Sequence, residues 1–159
     1  MPIPTPEPGL VISYAYLWHY EREAGREEGR KDRPSVIVLA VERPANDATV
    51  VVVLPITHTP PADPAGAVEI PAAVKRHLGL DDERSWIVVA EDNEFDWPGY
   101  DLRKIGRSDR YDYGFLPPRF FNQVIAAFAA WHRARKAKLT SREVILKSVT
   151  SLQGATCPP

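Results

Sequence analysis

Arg33-Pro34-Ser35-Val36-Ile37-Val38, followed by Val51-Val52-Val53-Leu54-Pro55-Ile56-Thr57, decides the reading of this chain. Both are β-branched runs with a polar group at one end. A guanidinium stands where the first strand begins, and a hydroxyl stands where the second one finishes. Paired as neighbours through the turn Arg43-Pro44-Ala45-Asn46-Asp47, the two strands bring those ends to the same edge of a sheet. An arginine and a threonine hydroxyl meeting there can hold a phosphate, or stabilise the charge that develops when one is attacked.

The surrounding composition is that of an ordinary globular domain. The 159 residues are 44% hydrophobic and 26% charged, with a net charge of -1, which suits one domain with a sizeable core. The one cysteine, Cys157, lies in a Pro-rich terminus, so no disulfide framework is expected and a reducing compartment is. No apolar run has the length of a membrane span, and Met1–Pro8 lacks the pattern of a signal peptide. The expectation is a cytoplasmic protein with no membrane association. Charge is nevertheless uneven. Arg103, Lys104, Arg107 and Arg110 form one basic stretch, and Arg133, Arg135, Lys136, Lys138, Arg142 and Lys147 another. Glu91-Asp92-Asn93-Glu94 with Asp96 is acidic. Such clusters on a near-neutral chain fit a polyanion held in a groove better than a histone-like coat.

Residues 1–9 read as a flexible Pro-rich arm, 10–139 as the domain, and 140–159 as a short helix and tail opened by a Thr140/Glu143 capping box. Strands are expected at Leu10–Trp18, 34–42, 49–57, Val68–Ile70, Trp86–Ala90 and Glu94–Trp97. Pro71 and Gly79 bracket a short helix. Pro117-Pro118 opens a longer one, with Phe120, Phe121, Val124, Ile125, Phe128 and Trp131 on its apolar face. The stretch 19–33 carries five charges of each sign around Gly25 and Gly29, without an apolar stripe; it is expected to be a mobile loop that orders on binding. The fold class is mainly β with helices (α+β), a small antiparallel barrel or strongly curved sheet with an inserted short helix and a C-terminal helix.

The order of these features resembles the MazF/PemK (Kid-like) toxins of bacterial toxin–antitoxin systems: a charged glycine-containing loop, Arg-Pro, strand, turn, and a strand ending Pro-x-Thr. Val68-Glu69-Ile70, and Val88 onward to Asp96-Trp97, resemble that family's second half. The likeness covers roughly residues 9 to 131, but the opening strand keeps only Gly9 and Val11 of the family's usual Gly-Asp-Val/Ile start. The short helix and the tail are extra. The resemblance implies an SH3-like barrel, a homodimer and metal-independent, sequence-specific cleavage of single-stranded RNA, held in check by a cognate antitoxin. It implies no cofactor, and contact with operator DNA only through the antitoxin complex. The family's arginine maps onto Arg33, its catalytic threonine onto Thr57, and the glutamate some members carry five residues before the arginine onto Glu28. Arg30, Lys31 and His58 are the candidates for binding the RNA.

The chemistry agrees with that assignment. Without a metal, the substrate's own 2′-hydroxyl attacks phosphorus, leaving a 2′,3′-cyclic phosphate and a 5′-hydroxyl. Arg33 suits the non-bridging oxygens and Thr57 can donate to another oxygen. Glu28 can accept a proton, and His58 can act as acid or base. A homodimer is also expected because Tyr14, Tyr16, Trp18, Phe120 and Phe121 look too numerous for a small barrel to bury. Two other readings stand beside this one. Glu69-Ile70-Pro71-Ala72-Ala73-Val74-Lys75-Arg76-His77-Leu78-Gly79-Leu80 resembles the core of AbrB-like DNA-binding proteins, which would make the chain a transcription regulator. The same barrel without activity would be a binding module.

Overall fold

The computed structural model describes residues 3–20, 32–45 and 47–135. Glu28, Arg30 and Lys31, most of the 19–33 loop, and the Thr140/Glu143 capping box with the tail lie outside the described residues. Among the described residues there are seven strands: β1 (Leu10–Ala15), β2 (Asp32–Arg43), β3 (Ala48–Thr57), β4 (Ala67–Glu69), β5 (Trp86–Val88), β6 (Asn93–Asp96) and β7 (Asp112–Phe115). A short helix, Ala72–Leu78, follows β4, and a long one spans 118–135. The strands pair antiparallel throughout. The strand order is β4-β5-β3-β2-β1-β7, with β6 also on β3, so the ladder is open and the class is α+β. Among the described residues, no helix is long and apolar enough to cross a membrane.

The β2–β3 hairpin is the axis of the molecule. Its pairing runs from Arg43↔Ala48 at the turn to Ser35↔Pro55, with a bulge at Val38. Asp47 takes a positive φ of 52° in the turn, a conformation its short polar side chain tolerates. The other edge of β3 serves two partners: Val50–Val53 pair with β6, and Ile56–Thr57 pair with β5. Pro55, which has no N–H to give a ladder, falls at the change-over.

Because side chains alternate along a strand, both faces of the sheet have a core. On one face Val36, Val38, Leu54 and Ile56 pack with Ile70, Val74 and Leu78 around the short helix and with Phe120 and Val124 of the long one. On the other, Ile37, Val51 and Val53 pack with Leu10, Ile12, Tyr14, Tyr16 and Leu102. Phe95 of β6 stacks on Tyr14, with ring centroids 4.7 Å apart. Tyr14, Tyr16 and Phe120 are therefore buried within the single chain, and their number supplies no argument for a second copy. The segment that resembles the DNA-binding module likewise turns Ile70, Val74 and Leu78 into this domain's own core.

Several boundaries differ from the sequence expectation for local reasons. β1 ends at Ala15 rather than Trp18, since the Tyr16 N–H turns back to the Tyr14 carbonyl at 3.0 Å. β5 ends at Val88, because the N–H groups of Val89 and Ala90 donate to the Gly66 carbonyl at 2.9 and 3.1 Å. β7 has no counterpart in the sequence reading. It opens with Asp112, whose carboxylate accepts the Gly114 N–H at 3.0 Å, and Gly114 has a φ of 99°. That turn-like geometry bulges Tyr113 out of register with β1, where Val11 faces Gly114 and Ile12 faces Asp112.

Candidate active site

Extending the Ser35↔Pro55 pairing by two residues sets Arg33 opposite Thr57. Arg33 is also opposite Tyr14 on β1, and Thr57 opposite Trp86 on β5. Tyr14 with Arg33, and Thr57 with Trp86, are paired across neighbouring strands, and the Arg33 guanidinium reaches the Ile56 carbonyl next to Thr57. The convergence expected from the sequence is present in the fold.

Two clefts adjoin here and share Arg33, Thr57 and Thr59. The smaller, about 350 Å³, has apolar walls from Trp18, Tyr20, Pro60 and Pro61. The larger, about 590 Å³, is polar and bounded by Asp32, His58, Asp81 and Tyr113. The Arg33 guanidinium lies 5.0 Å from the Trp18 ring centroid, and its Nη1 donates to the Ile56 carbonyl at 3.4 Å. A planar cation resting on an aromatic face is oriented by it. The Thr59 N–H donates to Thr57 Oγ1 at 3.2 Å. That bond leaves the hydroxyl proton of Thr57 to donate elsewhere.

Trp18 is set by a hydrogen-bonded splint. Asn93 accepts the Leu17 N–H on Oδ1 at 2.9 Å and donates from Nδ2 to the Leu17 carbonyl at 2.8 Å. Glu91 accepts the His19 N–H at 3.0 Å and sits 3.0 Å from its Nδ1. Burial raises the Glu91 pKa, and the His19 N–H works against that rise. Tyr16, behind Trp18, is raised by burial and then by the Glu91 and Asp92 carboxylates. Tyr113, which lines the larger cleft, is raised by burial, with a hydrogen bond to Ser13 acting against the rise.

His58 forms part of the wall of the larger cleft, but its ring nitrogens face carboxylates: Nε2 is 2.8 Å from Asp81 and Nδ1 3.4 Å from Glu83. Behind them is Lys75, almost fully buried, with Asp81 Oδ1 at 2.5 Å and Ser85 Oγ at 2.7 Å. It also donates to the Glu83 carbonyl. Lys75 first, and then His58, hold the Asp81 carboxyl below its usual range. Among the described residues, His58, Asp81 and Glu83 could approach one cation together, their ligand atoms lying within 4.8 Å of one another. With the Lys75 ammonium already on Asp81, the group is an ion-pair network.

Of the residues expected from sequence, Arg33, Thr57 and His58 come together here, with His58 turned toward Asp81. Trp18, Thr59, Asp81 and Tyr113 join them without having been expected. Alternation along Tyr14-Tyr16-Trp18 was the available signal for the first, and the Asp-x-Gly turn for the last. Comparison with family models, curated proteins and solved structures returns no match.

Proposed function

We propose that this protein is a metal-independent endoribonuclease acting on single-stranded RNA, the toxin of a toxin–antitoxin pair, on a strongly bent SH3-like sheet. The observation that carries the reading is that Arg33 of β2 and Thr57 of β3 line both of two adjoining clefts. In this reading the scissile phosphate lies on the seam between them. Arg33 offers its planar fork to the non-bridging oxygens, where charge is greatest in the transition state. The Thr57 hydroxyl donates to another oxygen, with its geometry fixed by the Thr59 N–H. The 2′-hydroxyl gives up its proton and attacks phosphorus, the bond to the 5′-oxygen breaks to leave a 2′,3′-cyclic phosphate, and the 5′-oxygen takes a proton from solvent water and leaves as a hydroxyl. Glu28 is the proposed proton acceptor. The antitoxin, carrying acidic and apolar residues, would compete for the same seam, and the active form is proposed to be a homodimer.

The test uses purified protein and single-stranded RNA of mixed sequence. Arg33→Ala should slow cleavage by about 10² to 10³, the effect of removing one preorganised charge-stabilising donor. Thr57→Val, which keeps shape and removes the hydroxyl, should slow it markedly while the melting temperature holds. Products should carry 5′-hydroxyl ends. Full cleavage by the double variant overturns the assignment. Binding of duplex DNA without RNA cleavage would favour the regulator reading, and RNA binding without cleavage the binding module.

A further inference from the structure

The cleft on the Trp18 side is the wrong shape and polarity for phosphate, yet it opens directly beside the groups suited to phosphate. Its walls are a flat indole and the consecutive prolines Pro60 and Pro61, with Tyr20 at the rim. Proline rings fix their own backbone. The indole is fixed from behind by Asn93 and Glu91 through Leu17 and His19. A rigid apolar slot with a guanidinium and a hydroxyl at one end matches a molecule that is flat and apolar at one end and anionic at the other. A nucleotide has that build.

We propose that this slot is a nucleobase subsite, in which the base next to the scissile phosphate takes the place of the Arg33 guanidinium on the Trp18 ring, while Arg33 turns with Thr57 to the phosphate. The inference rests on the RNA-cleaving reading above and adds the means of holding the substrate. Stacking uses the π-face that every base has, so this position tolerates different bases and favours purines, which offer more area. Sequence choice is left to the larger, polar cleft across the seam, where Tyr113 and Asp32 can make directed hydrogen bonds.

The test follows the indole N–H resonances of the four tryptophans by ¹⁵N–¹H NMR. The signal missing in Trp18→Phe is that of Trp18. Wild-type protein is titrated with 3′-AMP, 5′-AMP, adenosine and inorganic phosphate. The expected result is that one of the two nucleotides shifts the Trp18 signal and binds more tightly than adenosine or phosphate alone. Which one does so tells on which side of the phosphate the base lies. Trp18→Leu should weaken that nucleotide about ten- to a hundredfold, the cost of one lost base–aromatic stack, and Trp18→Phe should retain most of the affinity. Tyr20 is largely exposed, so Tyr20→Ala leaves the fold intact; its affinity should fall less than that of Trp18→Leu, and it serves if Trp18→Leu does not fold. A Trp18 signal moved by N-acetyltryptophanamide and not by nucleotide would instead make the slot a seat for a partner's side chain, and would overturn the proposal. So would equal binding of AMP and inorganic phosphate. RNA cleavage that depends on Arg33 but is indifferent to Trp18→Leu removes the subsite and leaves the activity. Nucleotide binding at Trp18 with no cleavage of RNA removes the activity and leaves the subsite.

Discussion

Removing Asp81 should harm this protein more than removing the lysine it pairs with. Lys75 has a side chain only 6% exposed, whereas Asp81 is 52% exposed. The ammonium has three donors and three acceptors: Asp81 Oδ1, the Glu83 carbonyl and Ser85 Oγ. In Asp81→Ala the buried cation keeps two neutral partners and loses its counter-charge, and the Glu83 N–H loses its acceptor as well. Charge-assisted bonds of this kind are worth about 1.5–3 kcal/mol, and a stranded buried charge adds to the loss. A destabilisation of about 2 kcal/mol follows, lowering the melting temperature of a domain this size by about 4–8 °C. In Lys75→Met the volume is kept, the half-exposed Asp81 still has His58 and the Glu83 N–H, and Ser85 Oγ still donates to the Glu83 carbonyl at 3.2 Å. That change should cost less than about 1 kcal/mol. The double variant should fall between Lys75→Met and Asp81→Ala, since it strands no charge but still loses the acceptor of the Glu83 N–H. The pH dependence has a fixed sign: because the Asp81 pKa is depressed in the folded state, its contribution is present above the ordinary carboxylate range and disappears as pH falls through the lowered value. Wild type and Asp81→Ala should therefore converge in acid. Thermal melts of the four proteins decide it, and a Lys75→Met variant less stable than Asp81→Ala would refute the reasoning.

Other outcomes can be checked with the same preparations. Arg33→Lys should restore little of the cleavage lost in Arg33→Ala, since a point charge lacks the planar fork; cleavage assays in EDTA should show wild-type rates unchanged. Asn93→Ala strands both main-chain groups of Leu17. It should cost about 1–3 kcal/mol, shift tryptophan emission to the red and weaken RNA binding in anisotropy titrations. Gly79 caps the short helix with a φ of 70°, and a Cβ at that position would meet nothing within 4 Å. Gly79→Ala should therefore cost only the left-handed backbone strain, about 1–2 kcal/mol by denaturant melt.

The hairpin and the closeness of Arg33 to Thr57 were legible because β-branched runs and turn residues are local signals, and pairing register turns them into a three-dimensional statement. The helix bracketed by Pro71 and Gly79 was legible for the same reason, and so was the apolar face from Phe120 to Trp131. Three things were not. β7 is short, with Gly114 inside it, and joins the sheet through β1, so nothing in Asp112–Phe115 by itself reads as a strand. Trp18 belongs to the site because a side chain 76 residues away from Leu17, that of Asn93, bends the chain after β1. Tyr14, Tyr16 and Phe120 are buried within one chain because the sheet has a core on each face, and amphipathic counting assumes one.

The bulge at Val38 divides the hairpin into two segments with independent frames. On the near side, β1, β5 and β2–β3 pairing jointly fix the positions of Arg33 and Thr57. On the far side, toward the turn, Leu39 and Val41 are exposed and the pairing offset differs by one residue. The bulge works as a slip joint: length changes near the turn can be taken up there before they reach the end that carries Arg33 and Thr57. The exposed residues of β2 beyond the bulge, Leu39 and Val41 among them, are thus where labels can be attached or sequence allowed to drift, whereas Val50–Val52 opposite them are held by β6 and Val51 is buried in the core.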